Sequence, residues 1–193
     1  VGASTQSINK SVGTVSPIIQ RLVMNNSNGL TLNTDVTIGI SATLTNGIIT
    51  STTANFLNFA NGATVTGASN TTHVNGPVRK TGTDAFTFPT GKGGIYKRIA
   101  IGVRGAVGDQ FTAEYFNTVQ TSGSTMGAGL VSVSGCEYWN LLRTTGTATP
   151  TVTLSWRNAD CPNTYVVNTA DLRVASYNTG ASRWEDRGNG GVA

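Results

Sequence analysis

Apolar residues recur along this chain in short alternating or β-branched runs, never at the 3.6-residue period of an amphipathic helix. Leu30, Leu32, Val36, Ile38 and Ile40 form one run. Leu44, Ile48 and Ile49 follow, then Phe56, Leu57, Phe59 and Val65, then Val74 and Val78. Asn-Gly dipeptides at 28–29, 46–47, 61–62 and 75–76 divide the runs. Asn-Gly favours tight turns because both residues tolerate left-handed backbone angles. Very short strands, frequent turns and inward aliphatic residues are what a parallel β-solenoid requires. Leu22, Leu44 and Val65 sit about one such turn apart. An antiparallel hairpin array accounts for the turns almost as well.

The texture changes near Thr83. Phe86 and Phe88 alternate, a Pro-Thr-Gly-Lys-Gly-Gly turn follows, and the expected strands lengthen. Residues 95–103 read as one strand and 110–117 as another, with Phe111, Ala113 and Tyr115 on one face. Residues 136–143 and 151–157 read as a strand pair. In it Trp139 and Leu141 share a face, as do Val152, Leu154 and Trp156. Residues 172–177 and the Trp184 region complete a set suited to an antiparallel β-sandwich. The sequence therefore predicts an all-β, helix-free chain: a short-strand solenoid over 1–91 and a sandwich over 92–193.

Composition agrees with this picture. Only 11% of the 193 residues are charged, against about 25% in an ordinary soluble domain. Thr, Ser, Asn and Gly take the polar positions. The net charge is +4, but residues 1–76 carry only Lys10, Arg21 and Asp35. Arg79, Lys80, Lys92, Lys97, Arg98 and Arg104 form a later basic run opposed by Asp84. It has no helix and no dense aromatic platform, so nucleic acid is not the expected partner. The plain expectation is a solvated strand-and-turn face; an anionic polysaccharide is the stronger alternative. No apolar run reaches the ~20 residues of a membrane span, so no direct membrane insertion is expected. Without an initiator Met or a signal peptide, the chain reads as a mature or excised segment.

Candidate chemistry is sparse. His73 is the single histidine. It has no nucleophile elbow near it, and alone it makes no metal site, so a surface or turn-corner residue is expected. Glu114, Glu137, Asp160, Asp171, Glu185 and Asp186 formally allow a carboxylate pair; pairing with Arg143, Arg157, Arg173 or Arg183 is the plainer expectation. Lys92 lacks the rest of a phosphate-loop pattern and reads as a charged hairpin turn. Trp139 and Trp156 alternate with aliphatic residues and read as core. Trp184, with Tyr177, is the surface candidate for stacking on a sugar. Neither cofactor nor metal is expected, and no catalytic residue.

Four segments carry a family resemblance in the first half: Leu-Thr-Asn-Gly-Ile-Ile-Thr (44–50), Gly-Ala-Thr-Val-Thr-Gly (62–67), Val-Asn-Gly-Pro-Val-Arg-Lys (74–80) and Phe-Thr-Phe-Pro-Thr-Gly-Lys-Gly-Gly (86–94). Phe-Thr-Ala-Glu-Tyr-Phe (111–116), Cys-Glu-Tyr-Trp (136–139), Val-Thr-Leu-Ser-Trp (152–156) and Asp-Leu-Arg-Val-Ala (171–175) continue it. In this order they resemble repeat modules of very large secreted surface proteins of Bacteroidota, the gliding-motility-type adhesins exported by the type IX system. The resemblance implies an extracellular, cell-surface location and a structural or adhesive role, and it supplies no catalytic residues. In oxidising surroundings Cys136 and Cys161 are expected to form a disulfide. A solenoid end also needs a cap or a neighbour, and Val12, Val15, Ile18 and Ile19 are available to meet a like module. The expected function is a non-catalytic module set end to end with its like. A carbohydrate-binding module for surface or environmental polysaccharide is the alternative.

Overall fold

The computed structural model describes residues 4–10, 13, 15–157, 160 and 168–191. It is all-β, with a parallel solenoid of about three turns and additional antiparallel sheets. There is no α-helix among the described residues, as the periodicity requires. Two parallel stacks build the solenoid. One holds β1 (Gln6–Ile8), β3 (Leu30–Leu32), β5 (Ile49–Thr50) and β8 (Val74–Asn75), in that order. The other holds β2 (Ile18–Asn25), β4 (Val36–Asn46), β6 (Leu57–Phe59) with β7 (Thr64–Thr66), and β9 (Val78–Thr81).

Alternation decides which side chains enter the core. Register places Val36 on Leu57 and Leu57 on Val78, all three fully buried. The column beside it is Thr37, Asn58 and Arg79, facing outward and half-buried. There Asn58 Nδ2 donates to Thr37 Oγ1 at 3.3 Å, and Thr81 Oγ1 donates to Asn58 Oδ1 at 3.0 Å. Each fully buried Leu or Phe contributes about 1.5–3 kcal/mol by leaving water, so these columns supply the cohesion that charge does not. The spacing Leu22, Leu44, Val65 does not survive as a stack. Leu22 lies on Ala42 and Ala42 on Val65, while Leu44 lies on Met24. Unequal loops between turns, together with irregularities in β2 at Ile19/Arg21 and Met24/Asn25, shift the register away from a fixed period.

The Asn-Gly pairs are solenoid corners, not two-residue hairpins. Gly29, Gly47, Gly62 and Gly76 have φ of 87°, 93°, 76° and 126°. Their asparagines do not, since Ser182 is the one described non-glycine residue with positive φ. A type I′ hairpin turn needs positive φ at both residues. Here the glycine alone bends the chain toward the turn above. The Gly47 amide donates to the Thr71 carbonyl, and a Cβ on Gly47 would collide with the Asn26 carbonyl oxygen.

In the stack of β2, β4, β6 and β9 parallel growth stops at β9, while in the other stack Thr90 still bridges parallel to Val74 of β8. The long strand β14 (Gln110–Phe116) pairs antiparallel with β9, setting Phe111 against Lys80 and Ala113 against Val78. Phe111, Ala113 and Tyr115 are buried on one face, as alternation predicts. β10 (Phe86–Phe88) pairs antiparallel with β13 (Ile99–Ile101), burying Phe86, Phe88, Ile99 and Ile101. β11 (Gly91–Lys92) and β12 (Ile95–Tyr96) form a tight hairpin through Gly93 and Gly94, both at positive φ, which is the turn expected at Lys92. The strand expected over 95–103 is thus two short strands. The strand pair expected of 136–143 and 151–157 does not form: β15 (Tyr138–Thr145) neighbours β14, and β16 (Val152–Leu154) neighbours β13.

The chain divides into two compact units, residues 1–116 with 139–152, and residues 117–138 with 153–193. In the second unit, β17 (Ala175–Asn178) and β18 (Arg183–Asp186) make an antiparallel hairpin. Met126 bridges to Trp184 on its far side.

Candidate functional site

The solenoid has two unlike ends. At its first turn β1 pairs only with β3, and β2 only with β4, among the described residues. The Thr37 amide donates to the Pro17 carbonyl at 3.0 Å. Backbone groups alternate sides along a strand, so those of Ile18 point away from β4. Val15, Ile18 and Val23 are exposed by 82%, 63% and 67%, whereas Ile19 sits half-buried beside Ile38. Three of the four expected contact residues therefore fall at this end, with Val15 and Ile18 open and Ile19 turned inward. Val12 lies outside the described residues. Arg21 and the two irregularities in β2 are the features that restrain an open strand edge from indiscriminate pairing.

In the opposite direction the parallel columns end on charge. In the column Ile38, Phe59, Lys80, the third position is a lysine with a fully buried side chain. Its Nζ lies 2.9 Å from Asp84 Oδ2 and donates to the carbonyls of Ala60 and Ala63 at 2.7 and 3.2 Å. Burial lowers the Lys80 pKa, and the hydrogen bond and charge of Asp84 oppose that shift. Asp84 also accepts from the Gly62 amide at 2.6 Å. The Lys80 bond, then that amide, hold its carboxyl below the ordinary value. Arg104, also buried, donates Nε to the Gly82 carbonyl at 2.6 Å, and burial lowers its pKa against the fields of Asp84 and Asp109.

The basic run is therefore not one solvated face. Lys80, Lys97 and Arg104 are buried. The Arg79 guanidinium lies 3.6 Å from the Phe56 ring centroid and donates to Thr112 Oγ1 at 3.2 Å. Lys92 Nζ sits 3.6 Å from Glu114 and 4.6 Å from the Phe116 centroid. The reading of a solvated face is corrected at Lys80 by the strand register, which turns alternate residues inward, and at Lys97 and Arg104 by burial of loop residues, while Arg98 stays exposed. The signal was present in the sequence: Val78-x-Lys80 repeats the spacing of Val36-x-Ile38 and Leu57-x-Phe59.

Acids are engaged in the same local way. Arg157 meets Asp160 at 2.7 Å, Arg173 meets Asp186 at 3.8 Å, and Glu185 lies 3.6 Å from Arg183 and 2.9 Å from Arg187. Arg143 instead donates to the carbonyls of Thr147 and Ala148. Asp35 accepts from the Phe56 amide, and Asp109 from that of Ala106.

His73 lies directly before β8, its carbonyl accepting from the Ile49 amide at 3.0 Å, and it is buried rather than at the surface. Its Nδ1 lies 3.1 Å from the Ser69 carbonyl, and burial lowers its pKa. Gly91 packs so closely on the ring that a Cβ there would meet His73 Cδ2 at 2.6 Å. Trp139 packs on Tyr115 with centroids 5.4 Å apart and donates to the Lys97 carbonyl at 3.2 Å. Trp184 and Tyr177 are brought together, edge to face at 5.5 Å. The Trp184 indole donates to the Gly123 carbonyl at 3.0 Å, and both residues are half-buried. Cys136 is described and no described cysteine is a free thiol; Cys161 lies outside the described residues.

Comparison with protein-family models, with curated proteins and with solved structures returned no match for this chain.

Proposed function

We propose that the chain is a non-catalytic structural or adhesive module of a bacterial cell-surface protein, set end to end with like modules outside the cell. The observation that carries this reading is how the two ends of the solenoid finish. At one end the parallel columns stop on buried Lys80, paired with the part-exposed Asp84, and the sheet runs on through β14, antiparallel to β9, to an edge at β15; the other end leaves two strand edges and exposed Val15, Ile18 and Val23. Sheet edges left at both ends suit a segment of a longer stack. The placement of the acids supports the non-catalytic part. Asp84, Glu114, Asp160, Glu185 and Asp186 are each held by a neighbouring cation. The resemblance to secreted repeat modules supports the location and the Cys136–Cys161 bridge.

The reading is tested on intact cells that produce the protein. Gold-labelled antibody against the folded chain is expected to decorate the outer surface without permeabilisation. Labelling that requires permeabilised cells contradicts the proposal.

A further inference from the structure

We infer that the open edges of β2 and β15 form one contact, in which β2 of one copy pairs with β15 of a second copy of this chain. The inference rests on the end-to-end reading above and deepens it by naming the strands that meet. Among the described residues the larger sheet runs in the order β15-β14-β9-β6-β4-β2, so its two terminal strands belong to the same chain. Each spans eight residues, Ile18–Asn25 and Tyr138–Thr145. An open edge is a row of backbone donors and acceptors, regular in β2 from Arg21 to Met24 between its two irregularities, and a partner strand fills it. Both edges also carry exposed apolar side chains, Ile18 and Val23 on β2 and Leu142 on β15.

Sheet order separates this arrangement from a two-fold one: β2 and β15 are the two ends of one sheet, so pairing β2 with β15 uses both kinds of edge, whereas pairing β2 with β2 leaves every β15 edge unfilled. Joining two different edges does not close on itself, so copies continue the sheet.

The test uses the whole chain and two variants. Ile18→Pro removes an amide that points away from β4, so it blunts the edge without removing a β2–β4 bond. Leu142→Lys places a charge on the exposed part of β15. Circular dichroism establishes that each is folded; if Ile18→Pro is not, Val23→Lys, at another exposed β2 position, replaces it. Sedimentation velocity is then run on each protein over a concentration series. The native chain is expected to give an open series of oligomers. Each variant alone associates about tenfold more weakly, as loss of an interfacial hydrogen bond implies. An equimolar mixture of the two forms a 1:1 complex that grows no further, because one intact β2 edge and one intact β15 edge remain to meet. A native chain that stays monomeric or stops at a dimer overturns the inference, as do variants that assemble like the native chain or fail to complement. Cell-surface labelling remains the separate check on the underlying reading, so either can fail without the other.

Discussion

Lys80 occupies a core position in register with Ile38 and Phe59, and its ammonium is held by two carbonyls and Asp84, with the Phe86 ring 5.1 Å away. Removing one partner of a buried pair costs more than removing the charge itself. Asp84→Ala is expected to destabilise the chain by about 2–3 kcal/mol, whereas Lys80→Met, which keeps the stem, costs under about 1.5 kcal/mol. Urea unfolding of the two variants checks the order. Acid acts on two of these residues. Asp84 is held below 3.8, so its stabilisation is complete above that value and is lost as pH falls through its lower folded value. His73 is held below 6.5 by burial, with the Ser69 carbonyl opposing. The unfolded chain therefore takes up that proton first, and stability falls as pH drops from 6.5 toward the folded value. Thermal melts are expected to show Tm declining over this range, and His73→Gln to flatten the decline. An unchanged slope in the variant contradicts the assignment to His73.

The strands and corners were largely legible, because alternation and Asn-Gly are local signals. Phe111, Ala113 and Tyr115 lie on one buried face as their spacing requires, and the Lys92 hairpin follows from Gly93 and Gly94. Register was not legible: Leu22, Ala42 and Val65 stack across loops of unequal length, and no local signal records a loop's contribution to the period. Nor was the partner of β15, since pairing between distant segments leaves no periodic trace. At the corners, glycines that share the Asn-Gly motif differ in their surroundings. A Cβ at Gly47 collides with the Asn26 carbonyl, whereas one at Gly62 meets nothing within 4 Å. Gly62→Ala is expected to cost only the left-handed backbone penalty, about 1–2 kcal/mol. Gly47→Ala adds a backbone clash and is expected to cost at least about twice as much. Chemical denaturation measures both, and equal costs would show that the corner is looser than described. Leu57→Ala, in the fully buried column, is expected to lose about 2–5 kcal/mol by the same measurement.

For the whole molecule, the sequence showed that the N-terminal segment is apolar enough to meet a neighbour, and the fold shows which part of it is exposed. It did not show that the parallel columns end on charge, because Lys80 reads as a surface cation until register turns it inward, and no local signal marks Arg104, in a loop after β13, as buried. The proposed Cys136–Cys161 bridge adds a separate check. Alkylation and mass spectrometry of freshly isolated material are expected to find neither thiol modified without prior reduction, and two free thiols contradict the bridge. The central claim is end-to-end assembly of like modules, and electron microscopy of the native assembly tests it most directly. The account predicts unbranched rows with one repeating axial spacing; dispersed single particles or closed rings would contradict it.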